Sequence, residues 1–149
     1  MSVRRFAATA TSAAPPELLF QHVAVAEAWN AWGWFPFASR RVRPGEKEAD
    51  GVGAVRRIGP AKERIVVFER PGHYAYVAEA GLPIRHYRAD VRLVPSGDNT
   101  VIRWSAEIVP LIPGTGALTA ALLHRMLDDF ARRVARHCEH CEPGCPGHL

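Results

Sequence analysis

Hydrophobic and polar residues change their spacing several times along this chain, and each change marks an element. Residues 3–11 form a short apolar stretch broken by threonines and predict a first strand. Pro15-Pro16-Glu17 then opens a helix, because proline is tolerated in a first turn whose N–H groups have no helical partner. Leu18, Leu19, Phe20, Val23 and Val25 give that helix an apolar face through about residue 25. The stretch from Trp29 to Phe37 is the densest aromatic cluster and predicts a short helix followed by a loop. From residue 39 the texture is that of strands, near 39–47, 53–59, 62–70, 73–80, 85–94 and 100–109. Turn signals such as Pro44-Gly45, Gly59-Pro60, Pro71-Gly72, Gly81-Leu82-Pro83 and Ser96-Gly97-Asp98-Asn99 separate them. Strands at this spacing without intervening helices predict an antiparallel meander. Beyond Pro113-Gly114-Thr115-Gly116, residues 117–137 carry a broad helical stripe of Leu118, Leu122, Leu123, Met126, Leu127, Phe130 and Val134.

These lengths suggest an architecture. A helix of this length spans about 32 Å, and seven strands side by side span about 29 Å. The expected fold is α+β: a curved seven-stranded antiparallel sheet with two short helices and one long C-terminal helix lying across its whole concave face. Alternation places Tyr74, Tyr76, Ala78 and Ala80 on that inner face, with Tyr87, Ala89, Val91 and Leu93 and then Ile102, Trp104, Ala106 and Ile108. His86, Arg88, Asp90, Arg92, Arg103 and Glu107 fall on the outer face. Charge and size complementarity favour a register with Asp90 opposite Arg103, His86 opposite Glu107, Ala89 against Trp104 and Tyr87 against Ala106.

Composition narrows the class. The 149 residues, 48% apolar and 23% charged, suit one globular domain. The net charge of +4 permits acidic partners. Nucleic-acid recognition would need arginines and exposed aromatics on one surface, and here they lie on opposite faces, so no nucleic-acid partner is expected. No apolar run approaches the roughly 20 residues of a membrane span, so no integral membrane association is expected. Thr9, Thr11 and Ser12 interrupt the start of the chain and argue against an export signal. The three cysteines, Cys138, Cys141 and Cys145, crowd into the end of the chain and cannot form a disulfide framework for the core. The expected compartment is cytoplasmic. Residues 1–137 are expected to form the domain and 138–149 a flexible Cys/His-containing tail. Oligomeric state is left open.

Several segments carry a resemblance: Trp29–Pro36, Arg70-Pro71-Gly72-His73-Tyr74-Ala75-Tyr76, Ala80-Gly81-Leu82-Pro83-Ile84-Arg85-His86-Tyr87-Arg88, Arg103-Trp104 and Ile112-Pro113-Gly114-Thr115-Gly116. With the order of elements, they make residues 2 to about 137 resemble the START/Bet v 1-like helix-grip superfamily (SRPBCC), in its polyketide cyclase/dehydrase-type branch. The resemblance implies a cavity between helix and sheet that holds a lipid, polyketide or other hydrophobic small molecule. The first functional expectation is therefore binding or transport of such a molecule. Trp34, Tyr74, Tyr76, Tyr87 and Trp104 are expected to line the cavity, with Leu123, Leu127 and Phe130 on the helix side.

Two other readings compete. A cyclase or dehydratase needs an acid or base aimed into the cavity, and the inner rows named above hold no carboxylate or histidine. The candidates are Tyr76 and Tyr87 as proton donors, and His86 if its strand turns it inward. An outward His86 paired with Glu107 favours the carrier. The third reading is an interaction domain with a filled cavity. No cofactor is expected: there is no P-loop, no Rossmann glycine pattern and no Gly-x-Ser-x-Gly. Cys138, Cys141, Cys145 and His148 are candidate zinc ligands, but their spacing matches no standard zinc pattern. A solvated tail without metal is the default, and a Cys141–Cys145 disulfide is a further option.

Overall fold

The computed structural model describes residues 3–35 and 38–149; Pro36 and Phe37, the end of the aromatic cluster, lie outside them. β1 (Arg4–Ser12) leads to α1 (Pro16–Ala24), a 3-10 turn (Ala26–Ala28) and α2 (Trp29–Trp32). The strands β2 (Arg40–Arg43), β3 (Val55–Ile58), β4 (Ala61–Glu69), β5 (His73–Ala80), β6 (Ile84–Ser96) and β7 (Asn99–Pro110) follow, and α3 (Gly116–Glu139) closes the order. The strands make one antiparallel sheet in the order β1-β7-β6-β5-β4-β3-β2. This is the helix-grip arrangement of the expected fold class. Among the described residues, no helix is long and apolar enough to cross a membrane.

Local chemistry explains the element ends. Pro16 sits in the first turn of α1, and Glu17 beside it favours the positive end of the helix dipole. The helix stops where Val25 turns extended, and its N–H still caps the Gln21 carbonyl. In β4 the register shifts between Ile65 and Val67. Glu63 and Ile65 lie buried before the shift, while Phe68 pairs with Tyr74 after it. An extra residue in a strand reverses which side chains face the core, and here it keeps both halves of β4 contributing apolar groups.

The β6–β7 register differs from the one expected. Asp90 stands opposite Ser105, Ala89 opposite Ala106, Tyr87 opposite Ile108, Val91 opposite Trp104 and Arg92 opposite Arg103. The turn decides this. Ser96 pairs directly with Asn99 around a two-residue Gly97-Asp98 connection, with Gly97 at φ 61. Such tight turns require positive φ and fix the strand alignment at once. The Arg92–Arg103 juxtaposition costs little because both side chains are exposed. Asp90 is instead taken by His73 at 2.7 Å and by Arg88 at 3.0 Å. Both alignments leave the same residues on each face, so the inner and outer rows stand as expected.

α3 makes its closest backbone contacts with β1, β7 and α1, while its Met126 and Phe130 reach over the β3–β6 side of the sheet. Leu127, Phe130, Ala131, Val134, Ala135 and Cys138 are buried, whereas Leu118 and Leu122 are 65% and 59% exposed. The expected stripe is thus core only in its C-terminal half. The rest of the concave face is filled by Phe20 of α1 and by Trp29 and Trp32 of α2. The indoles are held by backbone bonds, from Trp29 Nε1 to the Val23 carbonyl and from Trp32 Nε1 to the His22 carbonyl, both at 3.0 Å.

Candidate functional site

One pocket opens between α3 and the far side of the sheet. Ile58 and Pro60, at the end of β3 and its turn, meet Ala61 and Glu63 of β4, Tyr76 of β5, and Leu82 and Tyr87 around the β5–β6 turn. Phe35, Met126 and Phe130 close it from above. Its volume is about 60 Å³, room for a couple of water molecules against the about 300–1,000 Å³ typical of small-molecule sites. Larger hollows occur, including one of about 620 Å³ along Arg5, Arg88, Arg92 and Arg103. They are more open to the surface than the smaller pocket, and one of about 470 Å³ along Trp34, Leu122, Leu123 and Met126 also has largely apolar walls. Gly81 shapes the mouth: its φ is 92, and a Cβ there would come within 1.9 Å of the Pro60 carbonyl oxygen. Only glycine lets the β3–β4 and β5–β6 turns approach so closely.

Behind the pocket lies a polar group that alternation on β5–β7 did not reveal. Arg56 on β3 pairs directly across the sheet with Glu63 on β4. Arg56 Nε donates to Glu63 Oε1 at 3.0 Å, and Arg56 Nη1 donates to the Val23 carbonyl at 2.6 Å. Both side chains are almost wholly removed from water. The guanidinium also lies over the rings of Trp29, Tyr74 and Tyr76 at 5.3, 5.1 and 5.1 Å, a cation–π cage that compensates part of its lost hydration. Burial pushes the Glu63 carboxyl above its ordinary range, and Arg56 opposes that push. Among the described residues, Arg56 Nη2 and the Tyr74 hydroxyl have no hydrogen-bond partner. The signal for Glu63 was present: in Ala61-Lys62-Glu63-Arg64-Ile65 it alternates in phase with Ala61 and Ile65.

The expected lining residues divide. Tyr76, Tyr87 and Phe130 border the pocket. Tyr76 and Tyr87 stack with ring centres 6.3 Å apart, and Trp104 Nε1 donates to the Tyr76 hydroxyl at 3.2 Å. Burial raises the pKa of both phenols, so they remain protonated. Trp104 itself is sealed among Trp29, Trp32 and Phe130, Tyr74 among Phe20, Phe68 and Arg56, and Leu127 within the core. Leu123 faces a shallow surface hollow beside Leu122 rather than the pocket. Trp34 is 45% exposed, donates to the Asp129 carboxylate and packs on Phe35 and Phe130 from outside. These five therefore lie off the pocket: Tyr74, Trp104 and Leu127 belong to the core that Trp29 and Trp32 of α2 help to fill, and Leu123 and Trp34 lie towards the surface.

His86 points outward and meets Glu107 at 3.2 Å. The contact is diagonal, since the strand partner of His86 is Val109. In the tail, Cys138 is buried against the core with its Sγ near the Leu18 carbonyl. Cys141 and Cys145, expected to fray into solvent, instead turn back onto α1 beside His22, with His148 next to Cys141.

The sequence profile of the family described as polyketide cyclase / dehydrase and lipid transport matches residues 3–139. Among curated proteins, no sequence matches this chain. Solved structures resemble it in fold. A START superfamily protein from Mycobacterium smegmatis is 14% identical with a TM-score of 0.77, over 93% of this chain and 99% of the other. Norcoclaurine synthase from Thalictrum flavum, in complex with dopamine and hydroxybenzaldehyde, is 15% identical with a TM-score of 0.72, over 95% and 89%. Major latex-like protein 151 from Panax ginseng is 16% identical with a TM-score of 0.70, over 91% and 97%. With the profile spanning nearly the whole chain and the helix-grip architecture in place, the chain belongs to the polyketide cyclase/dehydrase and lipid transport family.

Proposed function

We propose that this protein binds or carries a hydrophobic small molecule, a lipid or polyketide in chemical class, at the pocket between α3 and β3–β6. The observation that carries the reading is the lining itself. Apolar Ile58, Leu82, Met126 and Phe130 surround the polar atoms of Tyr76, Tyr87 and Glu63, and sites for largely apolar ligands combine such walls with a few orienting groups. The outward His86–Glu107 pair favours a carrier over a histidine-dependent cyclase. At about 60 Å³ the pocket admits such a ligand only if its upper wall moves. Phe35 and Met126 are only partly buried and supply that wall.

Glu63 favours a second reading, a cyclase or dehydratase in which its carboxyl and the Tyr76 and Tyr87 hydroxyls exchange protons with a bound carbonyl. The test is native mass spectrometry of protein purified from its own host, with titration by fatty acids and aromatic polyketides. One ligand per chain, lost in Leu82→Trp with Tm unchanged, supports the carrier. Turnover of a bound polyketide that disappears in Glu63→Gln supports the enzyme. No retained or titratable ligand leaves the filled interaction domain and overturns both.

A further inference from the structure

The end of the chain folds back onto α1 and brings together four side chains that sequence spacing would not associate. His22 of α1, His137 near the end of α3, and Cys141 and Cys145 beyond it each offer one donor atom, and the four atoms lie within 4.8 Å of one another. Cys141 Sγ and Cys145 Sγ stand 3.3 and 3.5 Å from His22 Nε2, and Cys145 Sγ stands 3.5 Å from His137 Nε2. With zinc–sulfur and zinc–nitrogen bonds of about 2.3 and 2.0 Å, a tetrahedral centre sets its sulfur–nitrogen edges at about 3.5 Å. These three sulfur–nitrogen separations match the edges of such a tetrahedron.

Hydrogen bonding alone does not account for the convergence. His22 Nδ1 is 2.8 Å from the Leu18 carbonyl oxygen, which can only accept. The proton therefore sits on Nδ1, and Nε2 presents a single lone pair. That lone pair faces two sulfurs at once, whereas it can accept one linear hydrogen bond. A ring held by its Nδ1–H on a backbone carbonyl, with Nε2 bare, is the orientation imposed on histidines that bind metal. His22 is also wholly buried, so water does not compete for this nitrogen.

We propose that His22, His137, Cys141 and Cys145 form a Cys2His2 site for a borderline-soft divalent cation, zinc by chemical class. Two thiolates and two neutral imidazoles balance the charge of the ion, which suits a half-buried location. Four protein ligands leave no open position, so the site is structural rather than catalytic. It ties the C-terminus of α3 and the last residues of the chain to α1. The local backbone is shaped for this. Gly144, at φ 99, turns the chain between the two cysteines. Gly147 lies against the His22 ring, where a Cβ would come within 2.8 Å of the imidazole. His148 Nδ1 is 3.4 Å from Cys141 Sγ, placed to donate to the thiolate from outside the centre. Cys138 takes no part, since its sulfur lies against the Leu18 carbonyl.

Cys141 and Cys145 lie beyond residue 139, where the family match ends, and none of the four ligands lines the pocket, so the proposal does not depend on it. Its test uses the full chain, stripped of metal and reduced, then titrated with Co(II) and with Zn(II) alone. The expected result is one equivalent per chain, the intense visible bands of tetrahedral thiolate-bound Co(II), their displacement by Zn(II), and a rise in Tm on zinc addition that a chelator reverses. Cys141→Ser and Cys145→Ser, both in the half-buried tail, should lose the bands and the Tm rise while keeping the far-UV spectrum. Cys138→Ala should keep all of them. Absence of stoichiometric binding, an octahedral Co(II) spectrum, or binding that survives the Cys141→Ser/Cys145→Ser double variant overturns the proposal. So does a Cys141–Cys145 disulfide that persists under reducing conditions.

Discussion

Arg56 and Glu63 stand directly opposite each other on β3 and β4, joined at 3.0 Å with both side chains withdrawn from water. A buried ion pair contributes little net stability against an apolar replacement, but removing one partner strands the other charge. Glu63→Leu and Arg56→Met should each destabilise the fold by about 3–5 kcal/mol, while the double variant should recover most of that loss. Urea unfolding of the four proteins measures the coupling. Additive losses would show that the cage of Trp29, Tyr74 and Tyr76, rather than the carboxylate, holds the guanidinium.

The outer face of the sheet carries a different kind of charge. Burial alone would raise the Asp90 carboxyl, but hydrogen bonds from Arg88 and His73 hold it below its ordinary value of 3.8. A carboxyl depressed in the folded state contributes stability above its unfolded pKa and loses it as pH falls through the folded one. The contribution from Asp90 is therefore complete above pH 3.8 and disappears below it. Asp90→Asn should cost about 1–2 kcal/mol at neutral pH and should flatten the part of the acid unfolding limb below pH 3.8. Parallel limbs for the two proteins would remove Asp90 from the account.

What the sequence made legible follows from which forces are local. Apolar period, turn residues and helix breakers act within a few positions, and they delimited every strand and the long helix to within a few residues. The sidedness of β5 to β7 followed from alternation, which placed Tyr76 and Tyr87 inward and His86 outward. The register failed because pairwise charge was weighed above the turn, although exposed pairs are weak and a two-residue connection is rigid. Glu63 escaped because β4 was never read by face. How much of the space under the sheet is packed stayed open, because nothing local says that Trp29 and Trp32 swing beneath it. The meeting of His22 with Cys141 joins residues at opposite ends of the chain, and only the packing of α3 along α1 creates it.

The β6–β7 turn offers a direct check of that register argument. Gly97 has φ 61 and no atom within 4 Å of where a Cβ would sit. A substitution there meets no clash, so its whole cost is conformational. Gly97→Val should destabilise by about 1–2 kcal/mol, and Gly97→Asn, which tolerates this region, by less. Equal losses in thermal unfolding would mean that a different turn forms.

Phe130 is the side chain that separates the pocket from the packed interior. It contacts Trp29, Trp32, Trp34, Phe35 and Trp104, and it also borders the pocket beside Tyr76 and Tyr87. Phe130→Ala should cost about 3–5 kcal/mol, the usual loss when an aromatic leaves a packed core. If the neighbouring tryptophans hold their positions, the space joins the existing pocket as a larger, mainly apolar cavity, a site for a small aromatic molecule. Ligand that binds only the folded state raises its stability, so indole should raise the Tm of Phe130→Ala well above its effect on the unaltered protein. An equal response would show that α3 settles into the gap, and a helix that settles so readily would not keep open the space that a lipid or polyketide requires.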